Sequence, residues 1–138
     1  MSIITVQTGI NMYPWKIPQR AQQTIMNEYL RINKKSADTI FSAGIFNEHY
    51  SRLFMILDER ENIQNIVFTT IFQIPKSKSG IDVFKTLTKN YTIYFALENV
   101  IVKNLDELNI IIKELSISRN KPIIQNYNID ELYKMNKF

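Results

Sequence analysis

The stretch NIVFTTIF, Asn65–Phe72, decides the fold. It consists almost wholly of β-formers and shows no alternation between apolar and polar residues. A strand that is apolar on both faces belongs at the centre of a parallel sheet covered on both sides. Working outward, NEHYSRLFMILDER (Asn47–Arg60) predicts a helix with Tyr50, Leu53, Phe54 and Leu57 inward. ADTIFSAG (Ala37–Gly44) before it predicts a strand stopped by Gly44. IPQRAQQTIMNEYLRIN (Ile17–Asn33) predicts a helix with Pro18 in its first turn, where a missing N–H is harmless. Ile17, Ala21, Ile25, Tyr29 and Ile32 fall near one face of it. IITVQTG (Ile3–Gly9) predicts the first strand.

Downstream, IPKSKSG reads as a loop and SGIDVFKTLTKN (Ser79–Asn90) as a helix that Ser79 could cap. YTIYFALEN (Tyr91–Asn99) predicts a fourth strand. NLDELNIIIKELS predicts a fourth helix, with Asn104 and Glu107 at capping-box spacing. NIDELYKM repeats that spacing with Asn128 and Glu131, which predicts a short last helix. Strands alternating with helices imply a single α/β domain over residues 1–120, with a four-stranded, mainly parallel sheet and helices on both faces. Right-handed crossovers favour strand order 2-1-3-4, a flavodoxin- or resolvase-like wind. Residues 121–138 read as a C-terminal tail packing on the domain or on a partner. Its Ile123, Ile124, Tyr127, Leu132 and Phe138 need burial, and a homodimer interface would supply it.

Composition excludes several classes. The chain has 138 residues, 45% of them hydrophobic, which fits one globular domain. There is no cysteine and one histidine, His49, so the sequence carries no thiolate chemistry and predicts no metal site and no cofactor. MSIITVQTG lacks the basic and apolar regions of a signal peptide, and no run reaches transmembrane length; a cytoplasmic location without membrane contact is expected. The net charge of +4, from 17 basic and 13 acidic residues, is scattered. Without a basic stripe it reads as solubility before anion binding, and nucleic acid is not the expected partner. No G-x-G-x-x-G, P-loop or G-x-S-x-G motif is present.

In an open parallel sheet, ligands bind beyond the carboxyl ends of the strands. That rule collects Asn11, Tyr13, Trp15, Gln19, Arg20, Gln22 and Gln23 after strand one, Ser42 and His49 after strand two, Gln73, Lys76 and Lys78 after strand three, and Glu98 after strand four. The helix N-terminus and Arg20 suit an anion. The glutamines suit hydroxyls, and Tyr13 or Trp15 could stack on a ring. Against this, Gln and Arg are ordinary exposed helix formers, Trp15 could be a lid on the core, and His49 and Lys76 could be incidental surface groups. Glu98 ends an apolar run, so its carboxyl could have a raised pKa and act as acid or base. It could equally pair with Arg20 or cap a backbone turn.

Three short motifs carry a family resemblance. Ile17-Pro18-Gln19 with Gln22, Phe72-Gln73-Ile74-Pro75 and Ala96-Leu97-Glu98 resemble the sporadic carbohydrate cluster family, over roughly Gly9 to Leu115. Gln23 and Thr69-Thr70 depart from that pattern. The resemblance implies a role in surface-polysaccharide biosynthesis. The resemblance supplies no reaction; taken with the strand-end residues, the expectation is a protein that binds a sugar phosphate or nucleotide sugar, with Glu98 as acid or base of an isomerase, lyase or transferase step. The alternative is a non-catalytic accessory subunit of a glycan-biosynthesis enzyme. A more distant layout, with MILDER ending a helix before the central strand, resembles the catalytic domain of serine recombinases. That family needs Tyr-x-Arg-x-Ser after strand one and Asp-Arg-x-x-Arg after strand three. This chain reads VQTGINMY and FQIPKSK there, so the resemblance implies at most a nucleic-acid binder without recombinase chemistry.

Overall fold

Two apolar strands sit side by side at the centre of the sheet. In the computed structural model, which describes residues 2–9, 17–33, 39–45 and 50–120, β1 (Ser2–Thr8) pairs in parallel with β3 (Ile63–Phe68). Ile4 lies opposite Ile66, and Val6 opposite Phe68. Outside them are β2 (Thr39–Ile45) on one side and β4 (Thr92–Phe95) on the other, both parallel. The expected 2-1-3-4 order is therefore observed, and β5 (Val100–Val102) extends it as an antiparallel edge strand to 2-1-3-4-5. The sheet thus has five strands, not four. Tyr91–Asn99 is not one strand: it ends at Phe95, turns over Ala96–Asn99 with Asn99 at φ 53°, and runs back as β5. A positive φ suits asparagine better than most side chains, which permits this tight reversal.

The pleat sorts the side chains. Ile4, Val6, Ile66, Phe68, Ile93 and Phe95 face α2 (Ser51–Glu59), α3 (Lys78–Leu87) and α4 (Leu105–Asn120). Their partners there include Leu53, Leu57, Phe84, Leu87, Leu108, Ile111 and Leu115. Phe68 is the hinge of this core, stacked 5.6 Å from Phe95 and tilted at 4.9 Å from Phe84. Ile3, Val67 and Tyr94 face the other way, onto Met26, Tyr29 and Leu30 of α1 (Gln19–Ile32). Helices on both faces were expected; three share one face and α1 has the other.

The helix boundaries follow from local hydrogen bonding. The Ser77 hydroxyl accepts from the Gly80 N–H at 3.1 Å, so Ser77, and not Ser79, caps α3. At α4, Asn104 Oδ1 accepts from the Glu107 N–H at 2.9 Å, and Glu107 Oε2 accepts from the Lys103 N–H at 2.7 Å. The expected capping signal is realised, reaching one residue further back. The inward stripe of α1 differs from the apolar spacing: Gln22, Met26, Tyr29 and Leu30 are buried, and Ile32 is 63% exposed. The second expected helix begins at Ser51, after Tyr50 in a left-handed conformation. The tail 121–138, with its expected short helix, lies outside the described residues.

Candidate functional site at the carboxyl edge of the sheet

Two buried glutamines build this edge. Gln22, from α1, accepts the Thr8 N–H on its Oε1 and donates through Nε2 to the Thr8 and Ile17 carbonyls, each at 2.8 Å. Its amide substitutes for a neighbouring strand at the end of β1. Gln73, from the 3-10 turn Ile71–Gln73, does the same for β3. Its Oε1 accepts the N–H groups of Thr69 and Thr70, and its Nε2 donates to the Val6 carbonyl at 3.1 Å. Tyr50 donates its hydroxyl to the Gln73 carbonyl at 2.6 Å, which ties the start of α2 to the same turn. Each buried amide thus has three of its four hydrogen-bonding positions taken by the backbone. Gln22 and Gln73, expected as ligand-binding groups, hold the backbone of this edge together.

Glu98 closes the edge. Its Oε1 accepts the Ile71 N–H at 2.9 Å, and its Oε2 accepts the Thr70 hydroxyl. Burial pushes the carboxyl above its ordinary pKa, while the bonds from Thr70 and Ile71 pull it down. The raised pKa expected of a general acid is present, but the carboxylate caps a backbone turn. Among the described residues no ion pair joins it to Arg20. Gln23 is half-buried between Thr5, Gln7 and Asn27, its Nε2 being 2.8 Å from Asn27 Oδ1. Ser42 lies within β2, opposite Thr5 in the register. Gln19 is half-buried at the start of α1, and Arg20 and Lys76 are exposed. Asn11, Tyr13, Trp15 and His49 lie outside the described residues. No group of three His, Cys, Asp or Glu side chains among the described residues could hold a metal ion.

The charges at this edge form a pattern of which sequence reading found Arg20 and Lys78 but missed Arg52. α1, α2 and α3 all begin here, because each follows a parallel strand. Each has a cation in its first turn, Arg20, Arg52 and Lys78, and none has an acid there. α4 begins at the opposite edge and has Asp106 and Glu107 in its first turn. A helix N-terminus favours acids, so cations at three of three starts run against the macrodipole. Arg119, at the end of α4, also reaches this edge and donates to the carbonyls of Phe72 and Ile74 at 3.2 and 2.6 Å. No local signal in the sequence announces it.

No protein-family profile matches the sequence, and no curated protein matches it. Among solved structures, the N-terminal catalytic domain of TP901-1 integrase is similar, with a TM-score of 0.59 at 11% identity. The match covers 86% of this chain and 97% of that one. This finding overturns the surface-polysaccharide reading: nothing supports the carbohydrate family, its sugar ligand or an accessory role beside a glycan enzyme. No helix among the described residues is long and apolar enough to cross a membrane. The fold is α/β with a resolvase-like layout.

Proposed function

We propose that the protein binds a nucleic-acid backbone at the carboxyl edge of its sheet and does not cut it. The observation that carries this reading is the triad of exposed first-turn cations, Arg20, Arg52 and Lys78, with no acid in the same three turns. Each cation opposes a helix dipole, at about 0.3–1 kcal/mol, and gains when an anion arrives. Three such points along one edge fit a polyanion better than a single phosphate. The likeness to an integrase catalytic domain agrees with a nucleic-acid partner. Strand exchange is not proposed, because the segments after β1 and β3 lack the Tyr-x-Arg-x-Ser and Asp-Arg-x-x-Arg patterns.

Fluorescence anisotropy with a duplex oligonucleotide over a salt series tests it. Three phosphate contacts predict a slope of log K against log salt of about −3. The combined Arg20→Glu, Arg52→Glu, Lys78→Glu variant loses at least about tenfold in affinity. Absence of binding at low salt, or a variant that binds as the parent does, ends the proposal. Nicking of supercoiled plasmid would end its non-cutting half.

A further inference from the structure

A cleft of about 270 Å³ lies between the loop after β3 and α4. Its walls are apolar: Ile74, Pro75, Ile81, Ile112 and Leu115. Among the described residues its polar groups are Lys76, Ser116 and Arg119, and none of those that line it is an acid. The Arg119 guanidinium is half-buried, and among the described residues its charge faces the dipoles of two carbonyls and the ring of Phe72, 5.8 Å away. Its Nε–H is buried and has no hydrogen-bond partner among the described residues. A buried donor without a partner there, on a cation without a counter-ion among the same residues, is rare and calls for an explanation. Burial accordingly lowers the Arg119 pKa.

The geometry points to a second ligand site: this cleft binds a small aliphatic carboxylate, its chain on Ile74, Ile81, Ile112 and Leu115 and its charge on Arg119, with Lys76 and Ser116 at the rim. The volume lies just below the roughly 300–1,000 Å³ of drug-sized pockets, so the ligand is small. Nη2 of Arg119 is already engaged with two carbonyls, which leaves no two-pronged fork for any anion, so the ligand's charge is held through a single nitrogen. A doubly charged phosphate would pay more desolvation among apolar walls than a carboxylate. The site uses none of the three cations assigned to nucleic acid.

Titration of the isotope-labelled protein with hexanoate, followed by NMR, tests this, with hexanol as the uncharged control. Hexanoate shifts signals of Ile81, Ile112 and Leu115 with a Kd on the order of 1 mM, and hexanol does not. Arg119→Met removes the charge but also the anchor of the loop. Ser116→Phe, at an exposed position, fills the cleft while leaving that anchor in place. Both variants abolish the hexanoate shifts. The proposal is overturned if hexanoate shifts nothing, if hexanol binds equally well, or if Ser116→Phe binds as the parent does. Ser116→Phe keeps duplex binding, and the Arg20→Glu, Arg52→Glu, Lys78→Glu variant keeps hexanoate binding. Failure of one proposal therefore leaves the other measurable.

Discussion

At the scale of single residues, the carboxyl edge is held by side chains that complete backbone hydrogen bonding. Gln73→Leu keeps the approximate volume but strands the Thr69 and Thr70 N–H groups and the Val6 carbonyl. Each orphaned buried group costs about 1–3 kcal/mol, so a loss of at least about 3 kcal/mol in urea unfolding is expected for the three. Glu98 makes a pH prediction. Its pKa is raised, so the folded chain holds the proton more tightly than the unfolded chain does. Stability contributed by this group falls as pH rises from the ordinary value of 4.5 through the raised one, then levels off. Glu98→Gln removes that slope, so the parent loses stability relative to the variant across this window. A pH-independent difference would show that Glu98 titrates normally. The position of Glu98 was legible as the end of an apolar run. Its partners were not, since Thr70 and Ile71 stand 28 and 27 residues away.

At the scale of elements, two opposing effects meet at Gly80 in the first turn of α3. Replacing a helical glycine by alanine usually stabilises by about 1 kcal/mol. Here the new Cβ would stand 2.4 Å from Pro75 Cβ and 2.5 Å from its Cγ, and a proline ring cannot swing away. Overpacking costs about 1–3 kcal/mol, so Gly80→Ala lowers the melting temperature. Arg20→Glu alone goes the other way. An acid in the first turn of α1 suits the dipole, and the variant gains about 0.3–1 kcal/mol while weakening duplex binding. Greater stability with poorer binding, read by melting and anisotropy on the same sample, is the signature of a cation kept for function. Helix α1 also shows why periodicity misplaced a face. A polar Gln22 belongs to the buried stripe because it closes β1, and a stripe of apolar residues alone rotates the helix away from it.

At the scale of the whole molecule, the two faces of the sheet are unequally covered. Three helices and the aromatic group Tyr50, Phe68, Phe84 and Phe95 pack on one face. Among the described residues only α1 packs on the other, through Met26, Tyr29 and Leu30. Local opening follows buried apolar contact, so native-state hydrogen exchange releases the amides of α1 before those of β1 and β3. Equal protection throughout would show that the smaller cluster is not an independent weak unit.

The sequence by itself determined the alternation of strands and helices and the parallel central strands. These follow from local periodicity, which neighbouring residues specify, whereas right-handed crossovers narrowed the strand orders to a set in which 2-1-3-4 was favoured. Only the tertiary structure decided the reversal at Ala96–Asn99. That turn makes β5 antiparallel and sends α4 back toward the carboxyl edge, where Arg119 meets the carbonyls of Phe72 and Ile74. It likewise decided that Arg52 joins Arg20 and Lys78 at that edge and that each of the three opens a helix there. Charge in a sequence is a list, and a potential exists only once strand direction has placed the charges in space.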